Sequence, residues 1–164
     1  FVAVGVVLLF CFVLEWRNGS RIRKGLVMTL LFPLFIASCN TGPQALNPGI
    51  DHCYFCKMTI SDVRFGAEVV TKKGKLYKFD DMHCILSFLR SGMVEKDQVA
   101  DVYITNYSGQ HQLLHAKDVL ILKSDELRSP MGGNMAAFDN RDSMDIVLKK
   151  FSGNTLSWNE LNKQ

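Results

Sequence analysis

Little in this sequence points to catalysis. It has no Gly-x-Ser-x-Gly elbow, no phosphate-cradling glycine loop and no His-Glu-x-x-His pair, and its carboxylates are scattered. No charge of one sign dominates: 19 Lys and Arg stand against 16 Asp and Glu in 164 residues, a net charge of +3. So weak an excess does not suggest a nucleic-acid binder. Low-complexity and collagen-like stretches are absent, and a 48% hydrophobic content is too high for a disordered chain. Cysteine is sparse, at five residues: Cys11, Cys39, Cys53, Cys56 and Cys84. The three beyond Cys39 are one short of a four-thiolate structural zinc site. The length suits one domain, or two small lobes sharing a core.

The charge is unevenly placed. Arg17, Arg21, Arg23 and Lys24 face only Glu15 before residue 39, and from there onward acids and bases balance at 15 each. Arg21, Arg23 and Lys24 precede an almost unbroken apolar run from Leu26 to Ala37. Twelve residues rise only about 18 Å in a helix, too short for a hydrocarbon core of about 30 Å. A basic patch, a short apolar core and small residues make an export signal. Its end, Ile36-Ala37-Ser38-Cys39, resembles the bacterial lipobox, which implies that Cys39 is acylated and becomes the first mature residue. The alternative is a Cys that merely ends a transmembrane helix. Phe1 to Leu14 is a second apolar run without an initiating Met, expected of an upstream extension or a fragment. Residues 1–38 are therefore set aside as an export region, of which 1–20 read as the upstream extension.

Residues 39–50 are rich in Asn, Gly and Pro and read as a flexible tether. Strands are expected over 65–71 and 75–79, turning at Lys73-Gly74. Asp80 or Asp81 caps a helix to about Arg90, with Met82, Ile85, Leu86 and Leu89 on one face. Cys84 and Phe88 lie on its far side, so something besides one sheet must cover them: a second lobe, a partner or a metal site. Further strands are expected at 99–107, 110–114, 119–122, 135–138 and 156–158, and a second helix over 141–151. Both halves read as strands followed by a helix. The class is α+β, a small two-lobed body with lobes of about 51–97 and 98–162, each of short antiparallel strands and one helix.

What stands out chemically is soft-ligand density. Cys53, Cys56 and Met58 lie within six residues beside His52, and Met82, His83 and Cys84 follow the hairpin. Thiolates and thioethers select Cu(I), zinc or iron–sulfur centres over magnesium or calcium. Zinc rarely takes Met, though a mixed Cys53, Cys56, His83 or Cys84 site remains open. Cu(I) accepts two or three soft ligands. A Cys53–Cys56 disulfide is the bland reading outside the cytoplasm, whereas a thioredoxin-like pair lacks its βαβ setting. Met82 sits on the apolar helix face and reads as core, and His83 as a surface residue. Met131, in the loop Ser129-Pro130-Met131-Gly132-Gly133-Asn134, is explained by no helix face and is a candidate ligand or a hinge packing residue. His111 and His115 read as ordinary surface or core groups.

The ordered set of the lipobox, Cys53-Tyr54-Phe55-Cys56-Lys57-Met58, Lys78-Phe79-Asp80-Asp81-Met82-His83-Cys84 and Ser129-Pro130-Met131-Gly132 through Ala136-Ala137-Phe138 resembles the NosL family, lipoproteins accessory to nitrous oxide reductase. The resemblance extends over nearly all of residues 50–160. It implies a copper-binding periplasmic lipoprotein, not an enzyme, that delivers Cu(I) for the copper–sulfide centre of nitrous oxide reductase alongside ABC-type assembly proteins. It also implies an α+β body of two similar lobes. Cys53, Cys56 and Met58 carry over as metal ligands, followed by Met131, with Cys84 and His83 as weaker candidates. Lys57 stands where the family often has Gly. The anchor is expected on a membrane facing the periplasm, the outer membrane rather than the inner, since Asn40 after Cys39 does not argue for inner-membrane retention. The alternative is a zinc- or disulfide-stabilised extracytoplasmic lipoprotein without a delivery role.

Overall fold

The computed structural model describes residues 42–163; the expected export region, the lipidation site Cys39 and the start of the tether lie outside them. Among the described residues, seven strands and three α-helices form a mixed α+β body. The first module is a four-stranded antiparallel sheet of β1 (Ala67–Thr71), β2 (Leu76–Phe79), β3 (Val99–Thr105) and β4 (Leu113–His115), in the order β2-β1-β3-β4. Its helix is α1 (Met82–Arg90). The second module is a three-stranded antiparallel sheet of β5 (Leu120–Lys123), β6 (Met135–Phe138) and β7 (Asn154–Ser157), in the order β6-β5-β7. It carries α2 (Arg141–Lys150) and ends in the short α3 (Trp158–Lys163).

These elements follow from local chemistry. The hairpin β1–β2 turns through Gly74 at φ 78°, in the left-handed region that glycine enters without strain. Asp81 caps α1, accepting a hydrogen bond from the His83 amide at 2.7 Å, and Asn140 caps α2 through the Ser143 amide. Met82, Ile85 and Leu86 bury the expected apolar stripe. The far side of α1 is covered too. Phe88 packs into an aromatic wall with Tyr54, Tyr77 and Phe79, at ring separations of 4.9–5.5 Å. Cys84 meets two further thiols.

The two modules share one core. Val69, Phe79, Ile85 and Ile104 from the first belong to the same apolar cluster as Ile121, Ala137, Trp158 and Leu161 from the second. A smaller cluster of Leu122, Leu127, Ala136, Phe138 and Met144 fills the other side of the second sheet beneath α2. Tyr107 stitches the sheets by donating its amide to the Ala137 carbonyl at 2.8 Å.

Three expectations are revised. The break near residue 98 is not a sheet boundary, because β3 pairs with β1 over five positions and brings β4 with it; the first sheet therefore runs on to His115. The stretch 39–50 is not loose from Gln44 onward. Leu46 is buried, the Gln44 amide donates to Glu68 Oε1 at 3.0 Å, and the Asn47 amide donates to Asp51 Oδ2 at 2.7 Å. The last strand starts two residues early, at Asn154, and Trp158 opens α3 instead of closing the strand.

Candidate metal centre

Residues 51–60 form a knuckle against the edge strand β2. His52 and Thr59 bridge its ends. Within it the Cys53 amide donates to the Met58 carbonyl at 2.8 Å and the Lys57 amide to the Cys53 carbonyl at 3.0 Å. The Tyr54 amide donates to the Lys78 carbonyl at 2.8 Å, which pins the knuckle to β2. So tight a return needs one left-handed residue, and this is Lys57, at φ 66°. The geometry explains why glycine suits the position.

The knuckle turns the Cys53 and Cys56 thiols toward the first turn of α1, where Cys84 projects. The three sulfurs lie within 4.8 Å of one another. Cys53 and Cys84 are buried, Cys56 is partly open, and all three are free. A metal bonded to three sulfurs at about 2.3 Å spans about 4 Å between them, so the trio is the right size for one ion. Among the described residues no imidazole or carboxylate joins the group, and the set is soft throughout.

The electrostatics divide the thiols into one ion and two acids. Hydrogen bonds from the Cys84 thiol and from the amides of Cys56 and Asp80 hold Cys53 down to about 5, against the opposing effect of burial. Cys84 is pushed well up, first because its proton is committed to Cys53, then by burial. Burial raises Cys56 as well, partly offset by the Met58 amide that points at its sulfur. Burial also raises the neighbouring Asp80 carboxyl, with the Cys53 charge adding to it, so a second negative charge beside the thiolate is disfavoured.

A loop from the second module reaches the same place. Asp81 Oδ2 accepts from the Ser129 hydroxyl, from the Met131 amide at 3.1 Å and from the Gly133 amide at 3.3 Å. A Cβ on Gly133 would lie 2.2 Å from Asp81 Oδ1 and 3.1 Å from the His83 nitrogen, so this approach requires glycine. The clamp sets Met131 against the core cluster that contains Cys53 and Cys84, where it is partly buried.

Of the residues expected at the site, Cys53 and Cys56 are brought together and the weaker candidate Cys84 joins them as their equal. Met58 contributes its backbone to the knuckle, and its side chain is 56% exposed. His83 is exposed, and Met82 is buried in the core as expected. His115 pairs with Asp101 at 2.7 Å and His111 bonds the Asn106 carbonyl. Sequence reading missed the part played by Asp81 in holding the Met131 loop. Its one signal was the pairing of an acidic helix cap with a distant Gly-Gly.

No curated protein sequence matches the chain. Among solved structures, the copper chaperone NosL from Shewanella denitrificans is similar, with a TM-score of 0.62 at 20% identity, over 73% of this chain and 95% of that one. A likeness at that identity shows the fold. The sequence profile of NosL matches residues 44–164, the whole of the two-module body with all three thiols, and the chain belongs to the NosL family.

Proposed function

We propose that this protein is a Cu(I) chaperone that delivers copper for maturation of nitrous oxide reductase, with Cys53, Cys56 and Cys84 as the thiolates that hold the ion. The observation that carries the proposal is the convergence of three free thiols within 4.8 Å, none accompanied by an imidazole or carboxylate among the described residues. Such a set favours a soft monovalent ion over magnesium or calcium, and it lacks the fourth ligand of a closed zinc site. The thioethers of Met58, exposed at the rim, and Met131, held by Asp81, are the secondary donors.

Delivery is ligand exchange, not catalysis. Cys56 is the most open of the three thiols. A donor atom from the acceptor bonds to copper there, a shared complex forms, and the chaperone sulfurs leave in turn, taking back the protons that binding expelled. Acylation at Cys39 would hold the protein on a membrane facing the periplasm, beside nitrous oxide reductase and its ABC-type assembly proteins. No helix among the described residues is long and apolar enough to cross a membrane.

The test is uptake of Cu(I) by the reduced chain in competition with a chromophoric chelator. Wild type should take up one equivalent, Cys53→Ser and Cys84→Ser should each weaken binding by at least tenfold, and Met58→Ala should weaken it less. If the reduced protein takes no Cu(I) from a weak competitor, the proposal fails.

A further inference from the structure

The knuckle that carries Cys53 and Cys56 has a predominantly basic surface. Segments 51–60 and 72–79, which pack side by side through the Tyr54–Lys78 hydrogen bond, contain five lysines and one carboxylate, Asp51. Lys78 is matched by Asp51 at 2.7 Å, while Lys57 and Lys75 form no ion pair among the described residues. These two ammonium groups are gathered on one ring. Lys57 Nζ lies 4.1 Å and Lys75 Nζ 5.7 Å from the centre of Tyr54, and Lys75 Nζ is also 4.6 Å from the centre of Tyr77. Apolar groups of the same stretch of chain stand exposed: Tyr54 at 37%, Met58 at 56% and Ile50 at 73%.

A solvated lysine run ordinarily extends into water. Here the aromatic faces hold two cations next to the residue that follows Cys53, while the chain from residue 39 onward is neutral only with these lysines counted, so the rest of it is acidic on balance. We infer that this face docks an acidic protein segment, one with an aliphatic or thioether side chain among carboxylates, and that the metal passes across it. The inference rests on the copper-binding reading for what crosses the face, but the docking itself does not need the ion. A protein occupant fits better than an anionic lipid surface. The partly open Cys56 lies in the same knuckle, and a lipid headgroup brings no soft donor to it. Opposite charges would steer the encounter and set its register, raising the association rate more than the final affinity.

The experiment uses the full chain and two labelled synthetic peptides with one Met-x-x-Met core, flanked in one by glutamates and in the other by lysines. Anisotropy with the metal-free chain should show at least tenfold tighter binding of the acidic peptide at about 10 mM salt, with most of the difference gone at about 0.5 M. Lys57→Glu with Lys75→Glu should reverse the preference. Equal binding of the two peptides, or an acidic preference that survives the double reversal, overturns the inference. So does loss of peptide binding by wild type, and not by the double variant, when a quarter of the phosphatidylcholine in carrier vesicles is replaced by phosphatidylglycerol, since that assigns the lysines to lipid. The copper reading fails separately, in the uptake assay, and a preference for the acidic peptide would persist without it.

Discussion

The division of the three thiols into one thiolate and two thiols makes the pH dependence of the proposed copper binding a count of ligands. Cys53 sits at about 5, so it is already ionised at neutral pH, while Cys56 and Cys84 are raised above the ordinary thiol value of 9.0 and keep their protons. A metal bound by all three sulfurs must then displace two protons between pH 6 and 8. The sign follows directly: binding releases protons, so affinity rises with pH. The apparent association constant should climb by about two decades per pH unit, or about 2.7 kcal/mol. Below about pH 5 a third proton is displaced and the slope steepens. A site made only of Cys53 and Cys56 would give about one decade per unit. The assay is competition against a Cu(I) chelator of known pH dependence at three pH values, with proton release followed by an indicator dye. Cys84→Ser should reduce the slope from two to one. A slope of one or less in wild type, or a Cys84→Ser slope equal to wild type, would refute the three-thiol site.

Three further outcomes follow from the packing. Gly133 lies outside the left-handed region, so Gly133→Ala carries no backbone strain; the new Cβ instead displaces the Asp81 carboxylate from its partners, at about 2–3 kcal/mol in chemical denaturation. Unchanged stability would mean that the clamp is slack. Because Lys57 is left-handed, Lys57→Gly should be more stable than Lys57→Ala by about 1 kcal/mol, a comparison in which both variants lose the contact with Tyr54. Glu68 is fully buried in β1, with Oε2 lacking a hydrogen-bond partner, and burial raises its carboxyl above 4.5. Its contribution to stability is therefore complete below the unfolded value and is lost as pH rises through the folded one. Glu68→Gln should raise the melting temperature at pH 7, by about 1 kcal/mol of stability, and do so less at pH 4; an equal gain at both would show that the carboxyl is not raised.

The family-level lesson lies in which features were local. Methionine beside a Cys-x-x-Cys segment pointed to a soft metal because ligand chemistry belongs to the residue, whatever the fold. The stripe of Met82, Ile85, Leu86 and Leu89 gave α1, and the Asp80-Asp81 pair gave its start, of which the structure uses Asp81, because a helix is specified by neighbours three and four apart. Hairpin β1–β2 was legible for the same reason, since a glycine turn joins two short runs. The buried state of Met82 and the unusual two-sided burial of α1 were also visible in its pattern.

Tertiary structure decided the rest. That β3 leaves the second half and pairs with β1 is a contact between residues about 35 apart, and nothing in the alternation of either strand names its partner. Residues 44–50 read as a tether because they lack periodicity, yet Leu46 and Gln44 are anchored by the first sheet. The third thiol, 28 residues beyond Cys56, and the Met131 loop, 50 beyond Asp81, reach the site only through the shared core. Sequence alone thus pointed to soft donor atoms and to most of the helices and strands, because both are properties of single residues and near neighbours. How many sulfurs share the site, and which of them carries the charge, depended on distance in space and on burial, which chain order does not contain.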